Sequence, residues 1–330
     1  MLTAYALHEK QMVSLPRDQI ESRLGDIVWI DLNQPTPEEE KYIENLCRVD
    51  IPTQEEMAAL ELSNRLYEEN GAYFFTVTIV THVDTEEPSN KPYTFVLNQQ
   101  RLITVRYAQT QPFKIVTDRI LKRRDFVAID PKLIALGLFE AMVNRLADVL
   151  EKNDRTIDAI SKSIFRSSNG DPEGKTPKNE VNLFGAIRAT GIEGDVISKV
   201  KESLVSLSRL VSYIKQIEFF PHESDENQRV RTLALDISAL NDHAGFLSNK
   251  ITFLLDATLG MIGIEQNAII KIFSIAAVIF LPPTLVASIY GMNFKHMPEL
   301  EWYYGYPMAI VMMVLAGYLP YRFFQYKKWL

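Results

Sequence analysis

The sequence of 330 residues has a single cysteine, Cys47, only five histidines, and a net charge of −7. A single cysteine excludes an internal disulfide, as expected for a domain in the cytosol. The histidines are scattered and no two stand at the spacing of metal ligands, so a tight zinc site is not expected. The acidic balance argues against nucleic acid as a partner, because binding to phosphates needs a basic face.

Motifs of the common enzyme classes are also missing. The chain has no glycine-rich phosphate loop, no nucleophile elbow and no HExxH motif. The first 11 residues have neither the basic nor the apolar region of a signal peptide, so we expect the soluble part of the chain to stay in the cytoplasm. We therefore expect neither an enzyme nor an organic cofactor.

Two stretches near the C-terminus lack charged residues. Residues 272–294 and 302–321 contain 23 and 20 residues without Asp, Glu, Lys, Arg or His. Each is long enough for a helix to cross a hydrocarbon core of roughly 30 Å. The seven residues between them are too few for a domain, so we predict a helical hairpin. A buried soluble hairpin is the alternative, but two adjacent stretches of this length favour a lipid bilayer.

The charges that flank these stretches predict their orientation. The tail after residue 321 has basic residues and no acid, whereas the loop at 295–301 carries Lys295, Glu299 and Glu301. By the positive-inside rule, the tail is cytoplasmic and the loop faces outside.

The rest of the chain divides into an α/β part and a helical part. Residues 1–130 are predicted to form an α/β domain. Strands are expected at 27–32, 73–83, 93–97 and 102–107, the last three as antiparallel neighbours, and a helix begins after Thr36 as N-cap. Residues 131–267 have helical periodicity, interrupted by a polar break at 166–180. An apolar repeat over 233–261 predicts one very long helix that continues into the first charge-free stretch.

One side of the first charge-free stretch carries most of its small or polar residues. We call this row the polar stripe: Asn267, Ile270, Ser274, Ala277, Leu281, Thr284 and Ser288. A symmetric ring of such helices would line a narrow path with polar and apolar collars. Small residues also serve as contacts between helices in lipid, and the spacing alone leaves both interpretations open. Two spans cannot enclose an aqueous path, so transport would require an oligomer.

Two consecutive prolines interrupt the hydrogen bonding of the same helix. Pro282 and Pro283 have no amide hydrogen, so the carbonyls of Val278 and Ile279 lose their helical donors. A simple kink and a functional role are both open for these carbonyls.

The C-terminal part resembles the CorA magnesium channels. The resemblance rests on Tyr-Gly-Met-Asn-Phe at 290–294, Met-Pro-Glu-Leu at 297–300, Ile-Phe-Leu-Pro-Pro-Thr at 279–284 and Lys-Lys-Trp-Leu at 327–330. It is closest over residues 250–330 and extends more weakly to the N-terminus through Val-Trp-Ile-Asp-Leu at 28–32. The loop departs from the family pattern at Lys295, where an acid often follows the motif.

The resemblance implies a fold and an assembly. These are an α/β cytoplasmic domain, a long α-helical stalk and two C-terminal transmembrane helices, in a funnel-shaped homopentamer of the bacterial inner membrane. The first transmembrane helix, 268–294, would line the pore. A periplasmic loop at 295–301, a second transmembrane helix at 302–322 and a basic cytoplasmic tail at 323–330 would follow.

The resemblance also implies functional residues. Gly291, Met292 and Asn293 would form the selectivity motif, with Asn293 carrying most of it, because neutral carboxamide oxygens can hold a hydrated Mg²⁺ through its waters. The polar stripe, with Phe273 beside it, would supply the pore lining and gate. Glu299 is the best outer acid. Cytosolic Mg²⁺ would hold the channel closed, and Asp84 and Asp256 are its candidate ligands.

The function implied is uptake of Mg²⁺, and also of Co²⁺ and Ni²⁺, driven by the membrane potential. A divalent ion gains about 4.6 kcal/mol per 100 mV, so no ATP-binding motif is required. A zinc transporter of the ZntB type, with the same fold, is one alternative. A sensor or enzyme that the two spans only tether to the membrane is the other.

Overall fold

The computed structural model describes residues 1–58, 65–83, 85, 87–122, 130–166, 183–293, 297–298 and 302–327. The chain divides into two compact units, Met1–Leu255 and Asp256–Leu330. The first contains a sheet and most of the helices, and the second contains the two apolar helices. Each unit is described by itself.

A single mixed sheet forms the centre of the first unit. Its strands within the described residues are β1 Leu2–His8, β2 Gln11–Leu15, β3 Ile27–Asn33, β4 Leu66–Glu69, β5 Ala72–Thr81, β6 Ser89–Leu97 and β7 Leu102–Arg106. Their order is β2-β1-β3-β7-β6-β5-β4, and only β3 and β7 pair in parallel. The four predicted strands and the antiparallel β5–β6–β7 arrangement are confirmed.

Three strands were not foreseen in the sequence. The turn between β1 and β2 is made by Glu9 and Lys10, whose φ angles are 46° and 61°. Such hairpin turns usually contain Asn or Gly, so the sequence lacks the usual signal. β4 is four residues long and half of it is exposed, which leaves little alternation to detect.

The helices are α1 Pro37–Cys47, α2 Gln54–Ala58, α3 Gln111–Lys122, α4 Pro131–Arg166, α5 Leu183–Gln216, α6 Asp225–Tyr290 and α7 Gly305–Tyr326. The predicted cap of α1 is confirmed, because the Thr36 hydroxyl accepts from Glu39 N–H and the Glu39 carboxylate accepts from Thr36 N–H. The predicted very long helix is also confirmed, since α6 has 66 residues. The predicted polar break lies outside the described residues, except for Arg166, which ends α4.

The parallel strand pair holds a buried ion pair. Arg106 on β7 donates to Asp31 on β3, with Nη2 2.7 Å from Oδ2 and Nε 3.0 Å from Oδ1. The Thr104 hydroxyl donates to the same carboxylate, and the guanidinium lies 4.4 Å from the ring centre of Phe113. Each charge therefore has several partners, which offsets the cost of removing it from water.

Side chains join α4 to the part of α6 that lies in the first unit. Lys250 on α6 donates to Asp154 and Asp158, which lie one turn apart on α4, with Nζ–Oδ1 distances of 2.9 and 2.6 Å. Although burial alone would lower it, hydrogen bonds to these carboxylates raise the pKa of Lys250, and the same lysine lowers the pKa of Asp158. Nearer the start of α6, Arg229 forms a bidentate ion pair with Glu140 on α4.

The apolar repeat predicted for 233–261 matches the shielded face of α6. All its members are buried or half-buried: Leu233, Ile237, Leu240, Ala244, Leu247, Ile251, Leu254, Thr258 and Met261. The helix ends do not test the predicted membrane bounds of 268–294 and 302–322, because a helix can continue past the membrane surface without a break. Those bounds stay predictions.

α5 covers an edge of the sheet with hydroxyl groups. β4 pairs only with the first residues of β5, which leaves later N–H groups of β5 without a strand partner. Thr78 N–H donates to the Ser206 hydroxyl and Val80 N–H to the Ser203 hydroxyl, both at 2.9 Å. Both serines are buried, so these hydrogen bonds replace those of a missing strand.

This edge gives a test of the fold. Replacing Ser203 by Ala should leave the buried Val80 N–H without a partner, at a cost of about 1–3 kcal/mol. Hydrogen exchange of the β5 peptide, measured on the full chain in detergent, should become roughly tenfold faster.

Ser212→Ala is the matched control on the same helix, because its exposed hydroxyl bonds only to the Ser208 carbonyl. If exchange in the Ser203 variant is as slow as in wild type, water or a rearranged side chain accepts the hydrogen bond of Val80 N–H equally well.

Candidate ion pathway

The second unit consists mainly of two helices that are long and apolar enough to cross a membrane. These are the final part of α6 and the whole of α7. Exposed aromatic rings stand at Trp302, Tyr303 and Tyr304 before α7 and at Tyr306 in its first turn. Such rings are typical of the level at which a membrane meets water. By length, composition and flanking rings, the unit has the features of a two-span hairpin.

One row of α6 in this unit is shielded by the rest of the hairpin. Its members are Ile275, Ala276, Ile279, Pro282, Pro283, Val286 and Tyr290. The corresponding row on α7 consists of Gly305, Ala309, Met313, Ala316, Gly317, Pro320 and Phe324. The two rows meet where Gly317 lies beside Pro283 and the Ile279 carbonyl.

The polar stripe lies on the opposite side of α6. At 100° per residue, its centre is about half a turn from the centre of the shielded row. All seven stripe residues are exposed, and so is Phe273 beside them, including large apolar side chains such as Leu281 at 64%. The stripe is therefore not the contact with α7. It is available to water, to lipid or to another protein chain.

The helix ends at the residues predicted for ion selection. α6 ends at Tyr290, and the Gly291 N–H still donates to the Ala287 carbonyl at 2.9 Å. Met292 N–H turns back to the Ile289 carbonyl at 3.3 Å, and Asn293 follows outside the helix. Asn293 is exposed, and no described residue hydrogen-bonds to its carboxamide. The group is thus free to bind a ligand or its water shell.

Gly291 is tightly enclosed by the last helical turn. A Cβ atom at this position would lie 3.0 Å from the Ala287 carbonyl oxygen. Contacts this short force the backbone to move by a few tenths of an ångström. A side chain at residue 291 would therefore require the turn that carries Met292 and Asn293 to shift.

The remaining predicted residues are not brought together. Asp84 and Glu299 lie outside the described residues. Asp256 is exposed on α6, since its apolar neighbours in sequence point to other sides of the helix. Within the described ranges, no three His, Cys, Asp or Glu side chains cluster as metal ligands would. The regulatory metal site stays a prediction.

A cavity of about 280 Å³ lies beside α4 and α5 in the first unit. Burial raises the pKa of Glu193 in its wall, and the buried Asn153 donates to that carboxylate. Arg145 and Lys152 line the same cavity. With cationic and acidic groups together, the lining is a poor match for a divalent cation.

These observations define a class of protein. An α/β domain leads through long helices to two apolar helices, the first of which turns a polar stripe away from the second. A neutral Gly-Met-Asn turn stands at the end of that stripe. This is the arrangement of a two-span transporter for metal ions.

Comparison with known proteins agrees with this class. The family model described as "CorA-like Mg2+ transporter protein" matches residues 25–328. The magnesium transport protein CorA of Sodalis glossinidius is 34% identical over 334 residues, covering all of both chains. The chain belongs to the CorA family.

Solved structures show the same fold. The complete CorA magnesium transporter of Methanocaldococcus jannaschii superposes with a TM-score of 0.78 at 16% identity, covering 100% of this chain and 99% of that one. The ZntB cytoplasmic domain of Vibrio parahaemolyticus gives a TM-score of 0.53 at 9% identity and covers 78% of this chain. The fold class is confirmed, and the zinc alternative gains no support over magnesium.

The contact between α6 and α7 in the hairpin was not predicted from the sequence. No role was expected for Gly317 from the sequence alone, although it lies on the shielded face of α7 against Pro283. The only signal was a glycine inside an otherwise bulky apolar segment. Such a residue in a membrane helix often marks a close approach of two backbones.

The enclosure of Gly291 gives a test of the site. Gly291→Ala should displace the turn that carries Asn293 and lower the initial rate of Mg²⁺ uptake by about tenfold. The measurement is uptake into proteoliposomes that contain a Mg²⁺-sensitive dye, with oligomer size checked by gel filtration.

Gly263→Ala is the control, because a Cβ at residue 263 of the same helix meets nothing within 4 Å beyond the backbone of its own helical turn, and residue 263 is far from the motif in sequence. Equal rates for the two variants would mean that the short contact at residue 291 does not position the motif.

Proposed function

We propose that this protein is a magnesium channel that takes up Mg²⁺ through a pore formed by several copies of α6. The observation that carries the proposal is the polar stripe, which is exposed on the side of α6 away from α7 and leads to the Gly-Met-Asn turn. Membership of the CorA family supports Mg²⁺ as the ion.

A single chain cannot form the pathway. Two helices leave the stripe open to the surroundings, whereas a ring of stripes would enclose it. The family resemblance implies five copies, and a pentamer would place five equivalent Asn293 carboxamides around one axis. Polar collars at Ser274, Thr284 and Ser288 would alternate with apolar collars at Ile270 and Leu281, with Phe273 as a further gate residue.

Selection would act on the hydrated ion. Mg²⁺ gives up its water reluctantly, and five neutral carboxamide oxygens can accept hydrogen bonds from that water. A ring of carboxylates would hold the ion more strongly and slow its release. Co²⁺ and Ni²⁺ are proposed as further substrates.

The proposed location is the bacterial inner membrane, with both termini in the cytoplasm. An inside-negative potential then favours entry of a divalent ion by about 4.6 kcal/mol per 100 mV. Cytosolic Mg²⁺ at Asp84 and Asp256 would close the channel once its concentration is sufficient. Glu299 in the outer loop would attract cations to the entrance.

The test is Mg²⁺ uptake into proteoliposomes at a fixed membrane potential. Wild-type uptake should rise as the inside is made more negative. Asn293→Ala should lower uptake at least about tenfold or let other cations compete, because five hydrogen-bond acceptors for the hydrated ion are lost.

Asn45→Ala, an exposed substitution on α1 of the first unit, is the control. Zn²⁺ transport coupled to a proton gradient, with no Mg²⁺ transport by wild type, would favour the ZntB-type alternative. Passage of neither ion by oligomeric protein would favour a membrane tether.

A further inference from the structure

A glycine of α7 lies in close contact with α6. A Cβ atom built on Gly317 of α7 would lie 3.2 Å from Pro283 Cγ and 3.5 Å from the Ile279 carbonyl oxygen of α6. The first of these distances is too short for an ordinary carbon–carbon contact. A methyl group at this position therefore requires Pro283 or one of the helices to move by a few tenths of an ångström.

The backbone of α6 is weakened at the same level. Pro283 cannot donate a hydrogen bond, so the Ile279 carbonyl has no partner at the usual position in the helix. The contact with Gly317 places this carbonyl on the α7 side, away from the polar stripe. The Ile279 carbonyl therefore faces the neighbouring helix and not the polar stripe.

The backbone of α7 is weakened within one turn of the contact. Pro320 lies inside α7 and likewise leaves the Ala316 carbonyl, next to Gly317, without its usual helical donor. Helices with missing hydrogen bonds bend more easily at those points. Near these prolines, the relative position of α6 and α7 therefore depends on the packing between the two helices.

The polar stripe stands directly across α6 from this contact. Leu281 and Thr284 belong to the same turn as Pro283 and are exposed on the far side. The Thr284 hydroxyl donates to the Phe280 carbonyl at 2.8 Å, which ties this side chain to the helix backbone. A displacement of α6 by α7 would therefore move Leu281 and Thr284 by a similar amount.

We propose that Gly317 is a positioning residue of the ion pathway: without a side chain, it lets α7 lie against Pro283 and the Ile279 carbonyl, and this contact sets the positions of Leu281 and Thr284. The inference rests on the proposed function, since it assigns the residue a role in the same pathway. Gly317 touches no ion and acts only through α6.

The first experiment compares Gly317→Ala with Val311→Ile in proteoliposomes. Each variant adds one carbon to α7, but residue 311 is exposed at 56% and lies outside the shielded row. Gly317→Ala should lower the maximal rate of Mg²⁺ uptake about tenfold, because overpacking displaces the helices. The Mg²⁺ concentration at half-maximal rate should change by less than about twofold, since Asn293 is untouched. Val311→Ile should behave as wild type.

The second experiment removes the partner atom. Pro283→Ala deletes the Cγ that the new methyl group would meet, so the two substitutions should not be independent. In the Pro283→Ala background, Gly317→Ala should lower the rate by less than about threefold. If Gly317→Ala alone does not assemble, recovery of the oligomer in the double variant is the equivalent result. The same loss of rate or assembly in both backgrounds would overturn the inference.

A third readout does not depend on which ion is carried. Cys47 is the only cysteine, so Cys47→Ala with Thr284→Cys creates a single reporter on the polar stripe. Gly317→Ala should change the rate at which a water-soluble maleimide labels this cysteine by at least about threefold, whereas Val311→Ile should not. If Gly317→Ala changes the labelling rate in protein that does not transport Mg²⁺, the role of the helix contact is supported but the proposed function is rejected. Unchanged labelling would overturn the positioning role, whatever the uptake.

Discussion

Polar groups on a helix inside a hydrocarbon core need hydrogen-bond partners or water, and the proposed assembly of this protein follows from that constraint. Burying an unpaired hydroxyl or amide in an apolar medium costs about 2–7 kcal/mol. The Thr284 hydroxyl meets part of this need by bonding to its own helix, but Ser274 and Ser288 are exposed on the same side. Because α7 packs on the opposite side, it does not supply their partners. In the proposed assembly, a ring of chains around a hydrated path offers both water and other copies of the chain as partners.

Buried polar groups in the first unit also need hydrogen-bond partners. Among its buried charges, Asp31 and Arg106 are paired with each other and with neighbouring polar groups. The open edge of β5 is closed by the hydroxyls of Ser203 and Ser206 from a helix more than 100 residues away in sequence. The two serine contacts join the sheet to α5. The α/β domain and the helical part that follows it therefore form one folded unit up to Leu255.

The sequence predicted the elements whose signals are local. The central strands, the capping box at Thr36 and the 66-residue helix follow from alternation, capping chemistry and the apolar repeat. β1 and β2 were not predicted because Glu9 and Lys10, which form the turn between them, adopt a conformation that these residue types rarely take. The end of α6 at Tyr290 reflects a backbone turn at Gly291, and composition alone does not reveal such a turn. The residues of the polar stripe could be listed from the sequence. That the stripe lies on the side of α6 away from α7 became visible only from the packing of the two helices.

The end of α6 also bears on how a neutral motif can attract a cation. The C-terminus of a helix carries about half a negative charge, from carbonyl groups that no further N–H satisfies. Because α6 ends at Tyr290, this partial charge stands beside Asn293. In the proposed pentamer, five helix ends would together contribute about two and a half negative charges at the entrance. That field comes from the backbone and does not depend on an acidic side chain next to the motif. Lys295 is therefore compatible with the proposed pathway for divalent cations.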